Sequence, residues 1–211
     1  MKIFSIKISA SNLERMKEFY TDDLECVLMD ESPDSFTCQA RNTTITFERS
    51  TENALYHLCF RTDSHNFDHF YKKLEDQDNL IPNKNGQTLM FWEGKQCYFY
   101  DPDGNILEII ERNVPVEKGL YDVSEVGMPT EDIRSLQNEL PFLYDRYKGD
   151  DEIFTFFGDE RGVFVVVKVG RNWYPTQKPA VISPLTLSVS GKEDRTYKHT
   201  ELPYVIHVKK E

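Results

Sequence analysis

The chain has 211 residues, 39% hydrophobic and 29% charged, with a formal net charge of −11. That length and composition support one large domain or two small ones with a sizeable core, and they argue against disorder. The acidic balance, without any long basic run, argues against a nucleic-acid or anionic-membrane partner.

Residues 3–10 alternate and predict a strand. Ser11-Asn12 offers a cap for a helix from Leu13 to about Thr21, with Leu13, Met16, Phe19 and Tyr20 on one stripe. Short strands follow at Glu25–Met29, Ser35–Ala40 and Thr43–Arg49. The order then returns. Leu55–Arg61 is a strand, and Asp63 or Ser64 caps a helix carrying Phe67, Phe70, Tyr71 and Leu74. Strands are expected at Leu89–Trp92, Gln96–Tyr100 and Asn105–Glu111. The strings Glu18-Phe19-Tyr20 and His69-Phe70-Tyr71 occupy matching places in the two helices. This is a repeated β-α-β-β-β unit. Residues 112–119 read as a linker. A third, degraded copy follows, with a strand at Leu120–Gly127, a helix at 131–140 capped by Thr130, and strands at Glu152–Phe157, Val163–Val169, Ala180–Val189 and Tyr204–Val208. The unbroken apolarity of Val163–Val167 predicts a central strand buried on both faces.

The four cysteines, Cys26, Cys38, Cys59 and Cys97, form no C-x-x-C pair and read as free and buried. Met1-Lys2-Ile3-Phe4 runs directly into a strand pattern. There is no signal-peptide core, and no apolar run nears about 18 residues, so a cytoplasmic location is expected.

Asp101-Pro102-Asp103-Gly104-Asn105 is turn chemistry between two strands. Beyond it, Glu108 stands inside the apolar run Ile106–Ile110. A carboxylate there must be paired, protonated or bound to a metal, because an unpaired buried charge is costly. The hairpin, the following Leu107-Glu108-Ile109, the strand around His57 and the Phe-Tyr helices together resemble the vicinal-oxygen-chelate superfamily of glyoxalases, extradiol dioxygenases and bleomycin- or fosfomycin-resistance proteins. The resemblance covers about residues 1–112 well and 119–190 weakly.

It implies an α+β fold: two paired βαβββ modules (1–50 and 53–112) forming a curved mixed sheet around a cup, with a third, degraded module at 119–211. It also implies divalent-metal ligands on first and last strands. His57 and Glu108 fall at those positions in the second module. In the first module Ser5 and Ile45 fall there instead, and a register shift would offer Thr46 or Glu48. In the third, Glu125 matches the first-strand position and Val166 replaces the last-strand acid. Catalytic divalent sites use about three protein ligands, and histidine with carboxylate suits Fe, Mn, Ni or Zn.

The implied function is glyoxalase- or dioxygenase-like: a metal holds a small substrate with adjacent oxygens, His57 and Glu108 are ligands, and Glu48 is the proton-transfer candidate. Arg61, Trp92, Tyr98 and Tyr100 are candidates for the cup wall, with Gln96, Tyr98 and Tyr100 sharing a face by alternation. The alternatives are an imidazole–carboxylate pair in a metal-free binding or sequestering protein of the same fold, and a degenerate module with a partner or regulatory role. His65 and His69 share a helix face but look solvated. The loop Gly170–Pro175 is expected to pack across the third module, with a lid or a partner contact as the alternatives. Modules paired between chains would make a homodimer.

Overall fold

The computed structural model describes residues 1–52, 54–115, 118–143, 146–150 and 152–211. The expected linker at 112–119 therefore lies partly outside the described residues.

The first unit contains β1 (Ile3–Ala10), α1 (Leu13–Glu18), β2 (Val27–Ser32), β3 (Ser35–Ala40) and β4 (Thr43–Arg49). Asn12 caps α1 by accepting from the Arg15 N–H, and after Glu18 the helix widens into one π-helical turn, Phe19–Asp23. The second unit is β5 (His57–Thr62), α2 (Ser64–Asp76), β6 (Met90–Phe91), β7 (Lys95–Tyr100) and β8 (Ile106–Glu111). Asp63 caps α2. The third is β9 (Asp122–Thr130), α3 (Ile133–Asn138), β10 (Arg146–Asp150), β11 (Phe154–Asp159) and β12 (Gly162–Lys168). Here the cap is Asp132, not Thr130. Thr130 ends β9, and its hydroxyl accepts from the Asp132 N–H. The chain closes with β13 (Leu185–Gly191), β14 (Arg195–Lys198) and β15 (Tyr204–Lys210).

The architecture is α+β, with two mixed sheets built from βαβββ units and a partial extra unit. The partners within the sheets do not follow chain order. One sheet runs β14-β15-β13-β1-β4-β3-β2, so the first unit pairs with the C-terminal strands. The other runs β10-β11-β12-β9-β5-β8-β7-β6, so the second unit pairs with the third. Sequence pattern specifies each unit's strands, but which first strands meet is a tertiary choice that period-2 alternation does not encode.

One continuous core joins the two sheets. It includes Ile6, Ile8 and Ile45 from the first sheet, Leu58, Phe60, Leu107 and Val126 from the second, and Phe67, Phe70 and Leu136 from the helices. β12 lies between β11 and β9 and buries both faces, as its unbroken apolarity predicts.

The hairpin fastens these parts together. Asp101 Oδ1 accepts from the Asp103 and Asn105 N–H groups at 3.1 and 2.9 Å, while Gly104 takes φ 81°. Asn105 Oδ1 in turn accepts from the Tyr56 N–H at 2.9 Å, setting β8 against the start of β5. The Ser11 N–H and hydroxyl donate to Asp103 at 2.6 and 2.7 Å, so the turn also holds the entry to α1. Among the described residues, no helix is long and apolar enough to cross a membrane.

Candidate functional site

The β5–β9 half of the second sheet curves around a cavity of about 860 Å³. Its floor follows from strand register. Cys59 on β5 is opposite Glu108 on parallel β8 and opposite Glu125 on antiparallel β9. Residues opposite one another point to the same face, so two carboxylates on outer strands converge over a small central side chain. His57, two residues before Cys59, shares that face. The register shift at Cys59/Phe60 turns both Ser124 and Glu125 toward the cavity. Among the described residues, donor atoms of His57, Glu108 and Glu125 lie within 4.8 Å of one another.

The imidazole is already set for one role. His57 Nδ1 lies 3.1 Å from the Ile106 carbonyl. A carbonyl only accepts, so Nδ1 carries the proton and Nε2 keeps its lone pair, 3.8 Å from Glu108 Oε2. Burial lowers the His57 pKa to about 4, and the Arg171 guanidinium pushes in the same direction. The ring is therefore neutral at pH 7. The carboxylates shift the other way. Burial, then the charge of Glu125, pushes Glu108 well above its ordinary value, with the Tyr98 hydroxyl opposing. Burial raises Glu125 to about 7 against the pull of Arg112, Arg61 and Lys148. A buried acid beside a half-buried one cannot readily ionise together with it without a cation.

The donor set is one imidazole nitrogen and two carboxylates. Mixed N/O donors suit Fe, Mn, Ni or Zn. First-row metal–ligand bonds of about 2.0–2.2 Å allow donors up to about 4.4 Å apart, and His57 Nε2 and Glu108 Oε2, 3.8 Å apart, fall within that span. The residues fit a divalent metal by chemistry and by approximate spacing.

Of the expected wall residues, Arg61, Trp92 and Tyr98 line the cavity. Arg61 is locked by two hydrogen bonds to Asp122, at 2.8 and 2.6 Å. Tyr98 is buried, whereas Trp92 is exposed at the mouth and stacks on Tyr174 with ring centres 4.9 Å apart. Tyr100 lies under the Lys178 ammonium, 4.3 Å from the ring centre, and is absent from the lining.

Glu48 is not brought to this cavity. It is exposed on β4 of the other sheet, 3.1 Å from Lys7. Ile45 is buried in the core, and Thr46 is the β4 residue opposite Lys7. In the third unit Val166 likewise faces the core, while Val163 and Val165 line the cup.

Sequence reasoning offered a lid only as an alternative for the loop of Trp173 and gave the residue itself no contact with His57. Its ring stacks on His57 with centres 4.8 Å apart, and its indole N–H has no acceptor among the described residues. A Cβ at Gly127 would come within 2.8 Å of the Trp173 ring and 3.2 Å of the His57 Cβ, so this close stack needs glycine on β9. The Trp-Tyr-Pro string near a Gly was the available signal, but it could not say which strand the loop would cover.

The comparisons agree with this architecture. A family model described as the Glyoxalase/Bleomycin resistance protein/Dioxygenase superfamily matches residues 2–109, over half of the chain. A Bacillus subtilis protein described as a candidate dioxygenase superposes with a TM-score of 0.64 at 14% identity, covering 100% of this chain and 85% of that one. A glyoxalase I variant from Zea mays gives 0.55 at 13% identity, covering 89% and 74%. No curated protein matches by sequence. These identities speak to fold alone, and the family model supplies the membership: the chain belongs to the Glyoxalase/Bleomycin resistance protein/Dioxygenase superfamily.

Proposed function

We propose that the chain binds one divalent first-row metal through His57, Glu108 and Glu125, and with it a small molecule bearing two neighbouring oxygens, as glyoxalase- or dioxygenase-type proteins do. The observation that carries this reading is the convergence of three donors from adjacent strands β9, β5 and β8 on one cavity floor. When bound, the metal would supply Lewis-acid stabilisation of charge developing on those oxygens. Each residue has a separate task. The Ile106 carbonyl orients the His57 lone pair. Trp173 covers the imidazole and limits water around it. Tyr98, beside Glu108, orients that carboxylate and favours its ionised form.

A second reading is a metal-free binding protein of the same fold. The raised pKa values of Glu108 and Glu125 favour it, because a shared proton gives the floor both a donor and an acceptor for a neutral ligand.

Calorimetric titration of chelator-treated protein with Zn²⁺ and Mn²⁺ separates the two. The metal reading expects one ion per chain. His57→Ala and Glu108→Gln should each cost more than the ~10–100-fold typical of an outer-shell partner. Affinity should climb from about pH 6 to about pH 8, because the carboxyls must lose protons while His57 is already neutral. A chain that takes up neither ion across that range is a metal-free binder.

A further inference from the structure

Four arginines are half-buried among the described residues, Arg61, Arg112, Arg161 and Arg171, and all four line the cavity. Arg61 is paired with Asp122 and Arg161 with Asp159. Arg112 and Arg171 have no carboxylate partner among the described residues, in a chain where acids outnumber bases. An unpaired, partly desolvated guanidinium is costly unless something anionic visits it.

The two differ in what they have left to give. Arg112 Nη1 already donates to the Glu93 and Glu111 carbonyls, at 2.7 and 2.9 Å. Arg171 makes one long contact, 3.5 Å from Nη1 to the Asn172 carbonyl, and stacks 4.7 Å from the centre of the Phe154 ring. Stacking fixes the plane of the guanidinium and leaves its hydrogen-bonding edge free. Its backbone is pinned, since the Arg171 N–H donates to Lys168 and its carbonyl accepts from Ala180, at 3.1 and 2.7 Å. Two residues on, Trp173 rests on His57, so the loop that carries Arg171 also roofs the floor of the cup.

We propose that Arg171 anchors a carboxylate on the cavity's ligand, and that the ligand class is small aromatic acids. The planar fork matches a carboxylate with two parallel hydrogen bonds. Any charge carried by Glu108 and Glu125, on the same floor, repels a doubly charged phosphate more strongly than a singly charged carboxylate. Phe154, Phe156, Trp92 and Tyr174 supply flat apolar surface for the body of the ligand. The inference rests on the cup being the ligand site and does not require the metal.

The probes are benzoate and benzyl alcohol, which share a ring and differ in charge, titrated into the metal-free full chain and followed by NMR. Benzoate should bind at least about tenfold more tightly than benzyl alcohol. Arg171→Gln should erase that preference while leaving benzyl alcohol affinity within about threefold. Arg112→Gln, the control for general loss of positive charge, should keep it. Equal binding of the two probes to the unaltered chain overturns the proposal, as does a preference that survives in Arg171→Gln. Failure to bind zinc leaves this test intact and overturns only the metal reading.

Discussion

Both sheets use the same local register, and only one fills it with donors. In the cup, Cys59 is flanked by Glu108 on the parallel neighbour and Glu125 on the antiparallel neighbour, with His57 two residues earlier. In the other sheet, Lys7 is flanked by Thr46 and Thr186, with Ser5 two residues earlier. The backbone geometry is shared, so what sets the cup apart is the side chains grafted onto it: His57, Cys59, Glu108 and Glu125. The second set also needs no visiting ion. Lys7 brings its own cation, and Thr37 and Thr46 satisfy each other at 2.9 Å. The cup instead holds a buried and a half-buried acid, with no cationic side chain paired to either among the described residues.

Copying the second pattern into the first should have the largest effect. Cys59→Lys places an ammonium between Glu108 and Glu125, where it competes directly with a metal. Zinc affinity should fall by on the order of 100-fold or more in calorimetry; undiminished binding would separate the two acids from the metal.

Removing one acid is next. Glu125 has a folded-state pKa of about 7 against an ordinary 4.5. A raised pKa gives stability that is full below the unfolded value and is lost as pH rises through the folded one. Glu125→Gln should therefore flatten that loss and leave the metal-free chain about 1–2 kcal/mol more stable than the parent near pH 8. Denaturant midpoints are best compared above about pH 6.5, because lowered His57 contributes the opposite slope from 6.5 down to about 4. A parent whose stability does not fall toward pH 8 would contradict the buried-acid account.

The smallest effect belongs to the other sheet. Glu48→Ala breaks an exposed pair and should change stability by less than about 0.5 kcal/mol, with zinc affinity unmoved. A loss of zinc binding there would make the two sheets one functional unit.

Much of this contrast can be read from the chain, and the unread part has a definite cause. The hairpin, the βαβββ units and the anomaly of Glu108 follow from turn chemistry and alternation. His57 follows from the family resemblance, which implies ligands on the first strand of a unit. Glu125 is visible at the first-strand position of the third unit, yet it joins the others only because β9 pairs with β5. That pairing is a choice between sheets that no local pattern records. Glu48 illustrates the converse. Alternation puts Ile45 and Phe47 in the core and Thr44, Thr46 and Glu48 on the opposite face, but that face belongs to the sheet without the cup. Arg171 and Trp173 sit on a loop, where periodicity says nothing.

The crossed pairing of the units also orders events in time. The cup's strands are drawn from one continuous stretch, β5 to β12, with its covering loop just after them, whereas β1 has to wait for β13: Ile3 pairs with Val189. Closing that long loop costs entropy before its contacts repay it. During synthesis the cup strands emerge together, and the N-terminal sheet stays half-built until the C-terminal strands arrive. Pulsed hydrogen exchange should find β5 and β9 amides protected before those of β13; the reverse order would mean that the sheet without donors nucleates the molecule.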